Sequence, residues 1–258
     1  MTTTRDRLSG LNAFVTGAGS GIGRAIALRL ASDGAAVGIA DINLERARET
    51  AAAIAAANGK AHAVHVDIAD FDAVGAAVAA IHDALGPIGI LVNNAGWDRM
   101  EPFMQNSPEL WDKIIGINLK GPIHCCRAVL DDMIAAGGGK IISISSDAAR
   151  VGSTGEAVYS ACKGGIVSFS KTLAREHARH RINVNVICPG PTDTALLAEV
   201  TAGDQGAKII EAMKRAVPMR RLGAPDDISG AVAFFASADA DFITGQVLSV
   251  SGGLTMAG

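Results

Sequence analysis

Cysteine is scarce in this chain: four residues in 258, at positions 125, 126, 162 and 188. None forms a C-x-x-C pair or a zinc-ligand spacing, and a chain of this length can build a core without disulfide staples. The four are expected to be buried thiols. Six histidines form no H-E-x-x-H or similar cluster, so no metal site is expected; His177 and His180 flank Arg179 on what should be an exposed helix end. Charge of either sign is also short of a surplus, with 23 basic and 26 acidic residues for a net charge of -3. That balance gives no general attraction to phosphate polymers or anionic lipid, so neither nucleic acid nor membrane is expected as a partner. The opening MTTTRDRLSGLN lacks an apolar signal region, and the apolar runs are strand-length and interrupted by Gly, Ser or Asn. These features predict a soluble cytoplasmic protein. Nothing rich in proline or serine divides the sequence, which predicts a single domain over 1–258.

What the chain does contain is alternation. β-branched runs are expected as strands at Ala13 to Thr16, Val37 to Asp41, Ala63 to Asp67, Ile88 to Asn93, Lys140 to Ser145, Ile182 to Cys188 and Val247 to Val250. Alanine-rich amphipathic stretches lie between them, at Ile22 to Asp33, Leu44 to Ala57, Phe71 to Leu85, Pro108 to Ala135 and Ala157 to Ala178. Two shorter ones follow Asp204 and Pro225. Alternating strands and helices with uniformly apolar strands predict an α/β fold: a doubly wound, seven-stranded parallel Rossmann sheet with helices on both faces. Ligands of such folds lie at the carboxyl ends of the strands, where the strand order reverses. The helix at 157–178 carries Gly164, Gly165 and several small residues, which suits close approach of another helix and predicts a homo-oligomer, a tetramer.

TGAGSGIG, Thr16 to Gly23, joins the first strand to the first helix. Its glycines stand at 17, 21 and 23 in a G-x-x-x-G-x-G pattern, not the strict G-x-G-x-x-G. They suit a tight turn and close approach of backbone N–H groups to a pyrophosphate at a helix start. Asp41 closes the second strand, where a carboxylate can bind the adenosine ribose hydroxyls and repel a phosphate there. This favours NAD over NADP, although an aspartate here can also cap the helix beginning near Asn43. Arg24 lies inside the first helix and is expected to point elsewhere. Asp67 ends the third strand and can bond an adenine amino group or serve the start of the following helix. Asn93, Asn94, Ala95 and Gly96 follow the fourth strand, where the amides can fix neighbouring backbone beneath a nicotinamide ribose or simply stabilise a turn. Asn118 interrupts a long helix, so a local distortion or a bound water is expected there.

Tyr159 and Lys163 stand four apart, on one face of a helix, thirteen residues after Ser146 at the end of an apolar strand. An unperturbed phenol, with a pKa of about 10, is a weak base near neutrality. A neighbouring ammonium is expected to lower that value, making Tyr159 a proton-exchanging group and Ser146 a holder of an alcohol or carbonyl oxygen.

TGAGSGIG, NNAG, the serine, YSACK and CPGPTDT occur in the order and spacing of the short-chain dehydrogenase/reductase family, and the chain resembles its compact single-domain form from end to end. The resemblance implies hydride transfer between a secondary alcohol and a nicotinamide. It assigns substrate orientation to Ser146, proton exchange to Tyr159, lowering of the tyrosine pKa and ribose binding to Lys163, and a relay water to Asn118. Cofactor contacts would come from Gly17, Ser20, Gly21, Ile22, Gly23, Asp41, Asp67, Ile68, Asn94, Ala95 and Gly96. Tyr159, Lys163, Pro189, Gly190, Thr192 and Thr194 would complete them. The segment at about 195–219, with Leu196, Leu197, Val200, Ile209, Ile210 and Met213, resembles a lid over an apolar acyl or ring group. The same residues can equally be amphipathic packing.

NNAGWD, SSDAARVGSTGEAVYSACKGG and FITGQVLSVSGGLTM are similar to family members that dehydrogenate cyclic hydroxyacyl-CoA thioesters, which implies a substrate such as 2-hydroxycyclohexanecarboxyl-CoA. Reductases of 3-oxoacyl groups on acyl carrier protein are the nearby alternative, but they resemble NADP users with a basic residue where this chain has Ser20. A non-catalytic dinucleotide-binding protein is a more distant reading, as is a lyase or epimerase that retains NAD. Trp97, Asp98 and Leu196 lie where substrate can be met, and Arg150 is placed as a contact to the thioester or a CoA phosphate.

Overall fold

The computed structural model describes residues 7–200 and 206–257, with the side chains at 199 and 200 left out. One sheet organises the chain. Its strands are β1 (Asn12–Thr16), β2 (Ala36–Asp41), β3 (Ala61–His65), β4 (Ile90–Asn93), β5 (Gly139–Ile144), β6 (Ile182–Pro189) and β7 (Val247–Val250). They pair in the order β3-β2-β1-β4-β5-β6-β7, every pair parallel. The helices are α1 (Gly21–Ser32), α2 (Leu44–Ala56), α3 (Phe71–Leu85), α4 (Pro108–Ile115), α5 (Gly121–Ala136), α6 (Ala148–Val151), α7 (Ala157–His177), α8 (Ala195–Val200), α9 (Gly206–Ala216) and α10 (Pro225–Ala236).

The uniform apolarity of the strands follows from burial on both faces. Successive side chains point to opposite sides of a strand. Ala13, Val15, Ile90, Val92, Ile142 and Ile144 therefore join one core cluster, with residues of α1, α2 and α10. Phe14, Leu91 and Ile141 join the other, with residues of α3, α5 and α7. All four cysteines are free and buried, as expected.

Chain order along the sheet reverses between β1 and β4, so their carboxyl ends splay the following loops apart and open a crevice. The expected third strand lies two residues later than β3, which ends at His65 and leaves Asp67 in a loop. The expected helix from Pro108 to Ala135 is broken: a π-helical turn, Gly116–Lys120, separates α4 from α5. Helices α6 and α8 were not anticipated. Of the expected lid, 201–205 lie outside the described residues, as does the Val200 side chain. No helix among the described residues is long and apolar enough to cross a membrane.

Candidate active site

A cavity of about 680 Å³ fills the crevice, and its lining runs from Asp41 and Arg46 at one end to Tyr159 and Leu196 at the other. That volume is in the range of small-molecule and cofactor sites, roughly 300–1,000 Å³. All but one of the residues expected at a site lie on it or beside it.

The glycine turn forms the first wall. Ser20 stands at the N-cap of α1 but its side chain accepts no capping bond, so the first-turn N–H groups face the cavity uncovered. Any side chain at Gly23 would collide with the Gly17 carbonyl and the Asn94 amide, and a Cβ at Gly17 would stand 2.8 Å from the Ala95 backbone. The turn is fastened to β4 by Asn94, whose Nδ2 donates to the carbonyls of Thr16 (3.0 Å) and Gly17 (3.2 Å). The Thr16 hydroxyl accepts from the N–H groups of Asn94 and Ala95, both at 3.1 Å. Thr16 escaped sequence reasoning because a threonine ending a strand carries no signal of its own.

Asp41 lines the cavity and already accepts two backbone bonds at 2.9 Å, Gly19 N–H to Oδ2 and Asn43 N–H to Oδ1. Asn43, not Asp41, caps α2 by accepting from Arg46 N–H. Asp67 likewise lines the cavity while accepting from Ala69 N–H (2.9 Å), and Asp70 supplies the cap of α3. Ile68 sits beneath, against Gly121, where a Cβ would overlap it. At the far wall, the Thr192 hydroxyl donates to the Gly190 carbonyl at 2.9 Å. Thr194 accepts from Leu197 N–H at 3.2 Å. Pro189, Gly190, Thr192, Thr194 and Leu196 all line the cavity.

Asn118 is fully buried in the π-helical turn. The turn widens the helix enough for its amide to donate to the Trp97 carbonyl (2.6 Å) and the Ile114 carbonyl (3.0 Å) while accepting from Trp97 N–H (3.2 Å). The expected distortion is present, and it anchors the loop after β4. Beside it, a Cβ on Gly96 would meet Asn118 Oδ1 at 3.0 Å and Lys163 Nζ at 3.4 Å.

Ser146, Tyr159 and Lys163 meet at the cavity's base. Tyr159, the chain's only tyrosine, lies beside the Ser146 hydroxyl on the cavity wall, and Ser146 Oγ accepts from Ala148 N–H at 3.1 Å. Lys163 is 3% exposed; its Nζ donates to the Ile144 carbonyl (3.0 Å) and lies 5.5 Å from the Tyr159 ring centre. The Ser145 hydroxyl holds the Lys163 carbonyl at 2.9 Å. The electrostatics differ from expectation. Burial pushes the phenol above its ordinary value, and the carboxylates of Glu156 and Asp98 push it further, against a lowering by the Ser146 hydroxyl. Burial also pulls Lys163 down to about 8, so the ammonium is itself poorly solvated rather than a spare positive charge.

Two carboxyls complete this end. Asp98 is 4% exposed with neither oxygen in a hydrogen bond of ordinary geometry, and Glu156 lies opposite it; both line the cavity. Glu156 was missed, although it precedes Tyr159 by three residues at a helix start. Arg150 is the residue the fold does not bring in. Its Nη1 donates to Ser249 Oγ (3.0 Å) and its Nη2 to the Ala257 carbonyl, while Ser249 donates to Asp147 (2.6 Å). It ties the carboxyl-terminal segment to α6 and is not on the cavity wall. A loop arginine has reach in every direction, and sequence position alone does not say which partner wins.

A doubly wound sheet with a glycine turn at its crevice, and a serine, tyrosine and lysine grouped opposite, defines an α/β oxidoreductase of the nucleotide-binding type. A family model described as Enoyl-(Acyl carrier protein) reductase matches residues 17–255. The chain belongs to the short-chain dehydrogenase/reductase family. It is 41% identical to galactitol 2-dehydrogenase of Agrobacterium fabrum, over 96% of this chain and 98% of that one. It is 38% identical to the (2S)-[(R)-hydroxy(phenyl)methyl]succinyl-CoA dehydrogenase subunit BbsD of Thauera aromatica, over 95% of this chain and 96% of that one. A solved structure of a putative short-chain alcohol dehydrogenase from Sinorhizobium meliloti 1021 matches with a TM-score of 0.91 and 37% identity, covering 97% of this chain and 98% of the other. The protein is therefore a dehydrogenase/reductase acting on CH–OH groups, and dehydrogenases of this family use a nicotinamide cofactor.

Proposed function

We propose that the protein is an NAD-dependent dehydrogenase of a hydroxyacyl-CoA thioester, of the kind represented by 2-hydroxycyclohexanecarboxyl-CoA. The observation that carries this reading is the meeting of Ser146, Tyr159 and Lys163 at the base of a cavity whose outer wall is apolar, formed by Val151, Leu196, Leu197, Met213 and Leu254. An apolar wall suits a ring or acyl chain, and the whole chain stands as one catalytic domain with a lid at 195–219.

The residues present fit the cofactor. Gly17, Ser20, Gly21, Ile22 and Gly23 would hold its pyrophosphate with the uncovered N–H groups of α1, Asp41 its adenosine ribose, and Asp67 and Ile68 its adenine. Asn94, Ala95, Gly96, Tyr159 and Lys163 would surround the nicotinamide ribose, with Pro189, Gly190, Thr192 and Thr194 against the ring. When bound, the nicotinamide accepts or gives the hydride. Ser146 then holds the carbinol or carbonyl oxygen; the neutral phenol of Tyr159 gives its proton to that oxygen in the reductive direction and, as the phenolate, takes it back in the oxidative one, while Asn118 and Lys163 fix the groups around that transfer. The preference for NAD rests on Asp41, whose charge faces the site where a ribose phosphate would lie. A cytoplasmic homotetramer packed through the small residues of α7 completes the reading; a stable monomer on sedimentation would remove that part.

A 3-oxoacyl-thioester reductase would run the same chemistry backwards, and the direction with NAD or NADP separates the two. A polyol substrate is the second reading favoured by an observation, since Asp98 and Glu156 can accept bonds from extra hydroxyls and a galactitol dehydrogenase is similar throughout. NAD-linked oxidation over a panel of hydroxyacyl-CoA thioesters, cyclic alcohols and polyols decides between them. Turnover of the thioesters is expected, and activity confined to polyols overturns the assignment.

A further inference from the structure

We infer that Asp98 and Glu156 form a charge filter, selecting neutral carbinol substrates against free hydroxy acids. This deepens the reading above, since it concerns how the same site tells an acyl thioester from the free acid it is built from.

The pair is held by the fold rather than by chance of rotamer. Asp98 follows Trp97, whose backbone is clamped on both sides by Asn118. Glu156 immediately precedes α7, and its carbonyl receives Ser160 N–H at 2.7 Å. Glu101 N–H to the Gly155 carbonyl, 3.0 Å, staples the two segments together. Both carboxyls consequently face the cavity within interaction range of Tyr159.

A carboxyl as buried as Asp98, with no good donor of its own, is costly to ionise beside a second carboxylate. Burial is the main cause that raises it to about 7, the Glu156 charge and hydrogen bond add, and the Arg99 N–H and Lys163 oppose. The groups that face it are Glu156, Tyr159, Cys162 and Lys163 from α7 and its start, with Lys113 of α4 across Trp97. The two cations have other partners: Lys163 donates to the Ile144 carbonyl, and Lys113 Nζ sits 3.6 Å from the Trp97 ring centre. Two carboxyls, Asp98 buried and Glu156 half-buried, thus stand beside the reacting oxygen with neither nearby cation paired to them. A free 2- or 3-hydroxy acid brings its own carboxylate within a few ångströms of that oxygen, where like charges repel strongly. A thioester, ester or plain alcohol brings none.

The test compares 2-hydroxycyclohexanecarboxylate and 3-hydroxybutyrate with their methyl esters and CoA thioesters, reading kcat/KM for acid over ester. Wild-type enzyme is expected to favour the ester, and Asp98→Asn/Glu156→Gln to raise the acid-to-ester ratio at least about tenfold. A structural role alone would lower both substrates together and leave the ratio in place, which overturns the inference. If the double variant does not fold, Glu156→Gln alone and the wild-type pH profile carry the test. Between about pH 7.5 and 6, Asp98 gains its proton while the free acids stay ionised, so the ratio should rise as pH falls. A ratio flat with pH in wild-type enzyme, free acids oxidised as well as esters, or neither ester oxidised would each overturn it. Failure of the CoA thioesters alone removes the proposed substrate and leaves the filter to be judged on the esters.

Discussion

Asn118 holds both backbone polar groups of Trp97, donating to its carbonyl at 2.6 Å and accepting from its N–H at 3.2 Å. It does so from inside a helix, because the π-helical turn turns an otherwise ordinary position toward the loop after β4. Asn118→Leu keeps the branched shape, adds bulk and loses three hydrogen bonds, leaving buried backbone groups unpaired at about 1–3 kcal/mol each. The expected result is a lower thermal midpoint together with a fall in kcat, since the loop carries Gly96 against Lys163. A variant of wild-type stability and turnover would show that the clamp has no consequence.

Tyr159→Phe removes one oxygen and little packing. Turnover should fall by about 10²–10⁴-fold, the usual contribution of a positioned acid or base. Cofactor affinity, followed by fluorescence titration, should stay within a few-fold. Unchanged turnover would take the proton transfer away from Tyr159 and sink the mechanism.

Gly23→Ala tests the turn. Its Cβ would overlap the Gly17 carbonyl and the Asn94 amide, both fixed by the bonds that join β1 to β4. Something in the backbone has to move, at a cost of about 1–3 kcal/mol. NAD affinity should drop by more than about tenfold, because the N–H groups of α1 move with the turn. Wild-type affinity measured by calorimetry would contradict the placement of the pyrophosphate.

The sheet and its helices were legible in the sequence because a parallel sheet buried on both faces imposes apolar strands such as Ile90–Asn93, separated by amphipathic helices. Gly17, Gly23, Ser146, Tyr159 and Lys163 were legible because their motifs resemble the family pattern in order and spacing, and a doubly wound sheet gathers the carboxyl ends of its strands to one crevice. Asn118 was half legible: a poor helix former announces a distortion, but not that it grips Trp97. Glu156, Thr16 and the fate of Arg150 were not, since each depends on which side chain from a distant segment arrives opposite. The electrostatics of Tyr159 were misjudged for the same reason. Lys163 was visible four residues away, whereas the burial and the facing carboxyls of Asp98 and Glu156 are products of tertiary packing.

Asp41→Ala should shift cofactor preference. The carboxylate leaves, and Arg46 stays on the same stretch of wall, free to meet a ribose phosphate. KM for NAD should rise about tenfold and the NAD/NADP ratio in kcat/KM should fall further. Part of the rise comes from the lost Gly19 and Asn43 bonds, which Asp41→Asn would partly keep. A ratio that does not move would relocate the ribose contact.

Asp98 also makes stability depend on pH in a definite direction. Its carboxyl titrates near 3.8 when unfolded and near 7 in the fold, so between those values the folded chain holds a proton that the unfolded chain has released. Stability from this group is fully present below about pH 4 and is lost as pH rises through 7, opposite in sign to a salt-bridged aspartate. Replacing the group by Asn should therefore relieve a penalty at pH 8 that is absent at pH 4. Urea unfolding of wild type and Asp98→Asn across that range measures it. The midpoint difference should open between pH 4 and 7 in favour of the variant and then level off; a difference constant with pH would mean that Asp98 is ionised throughout and well served by donors.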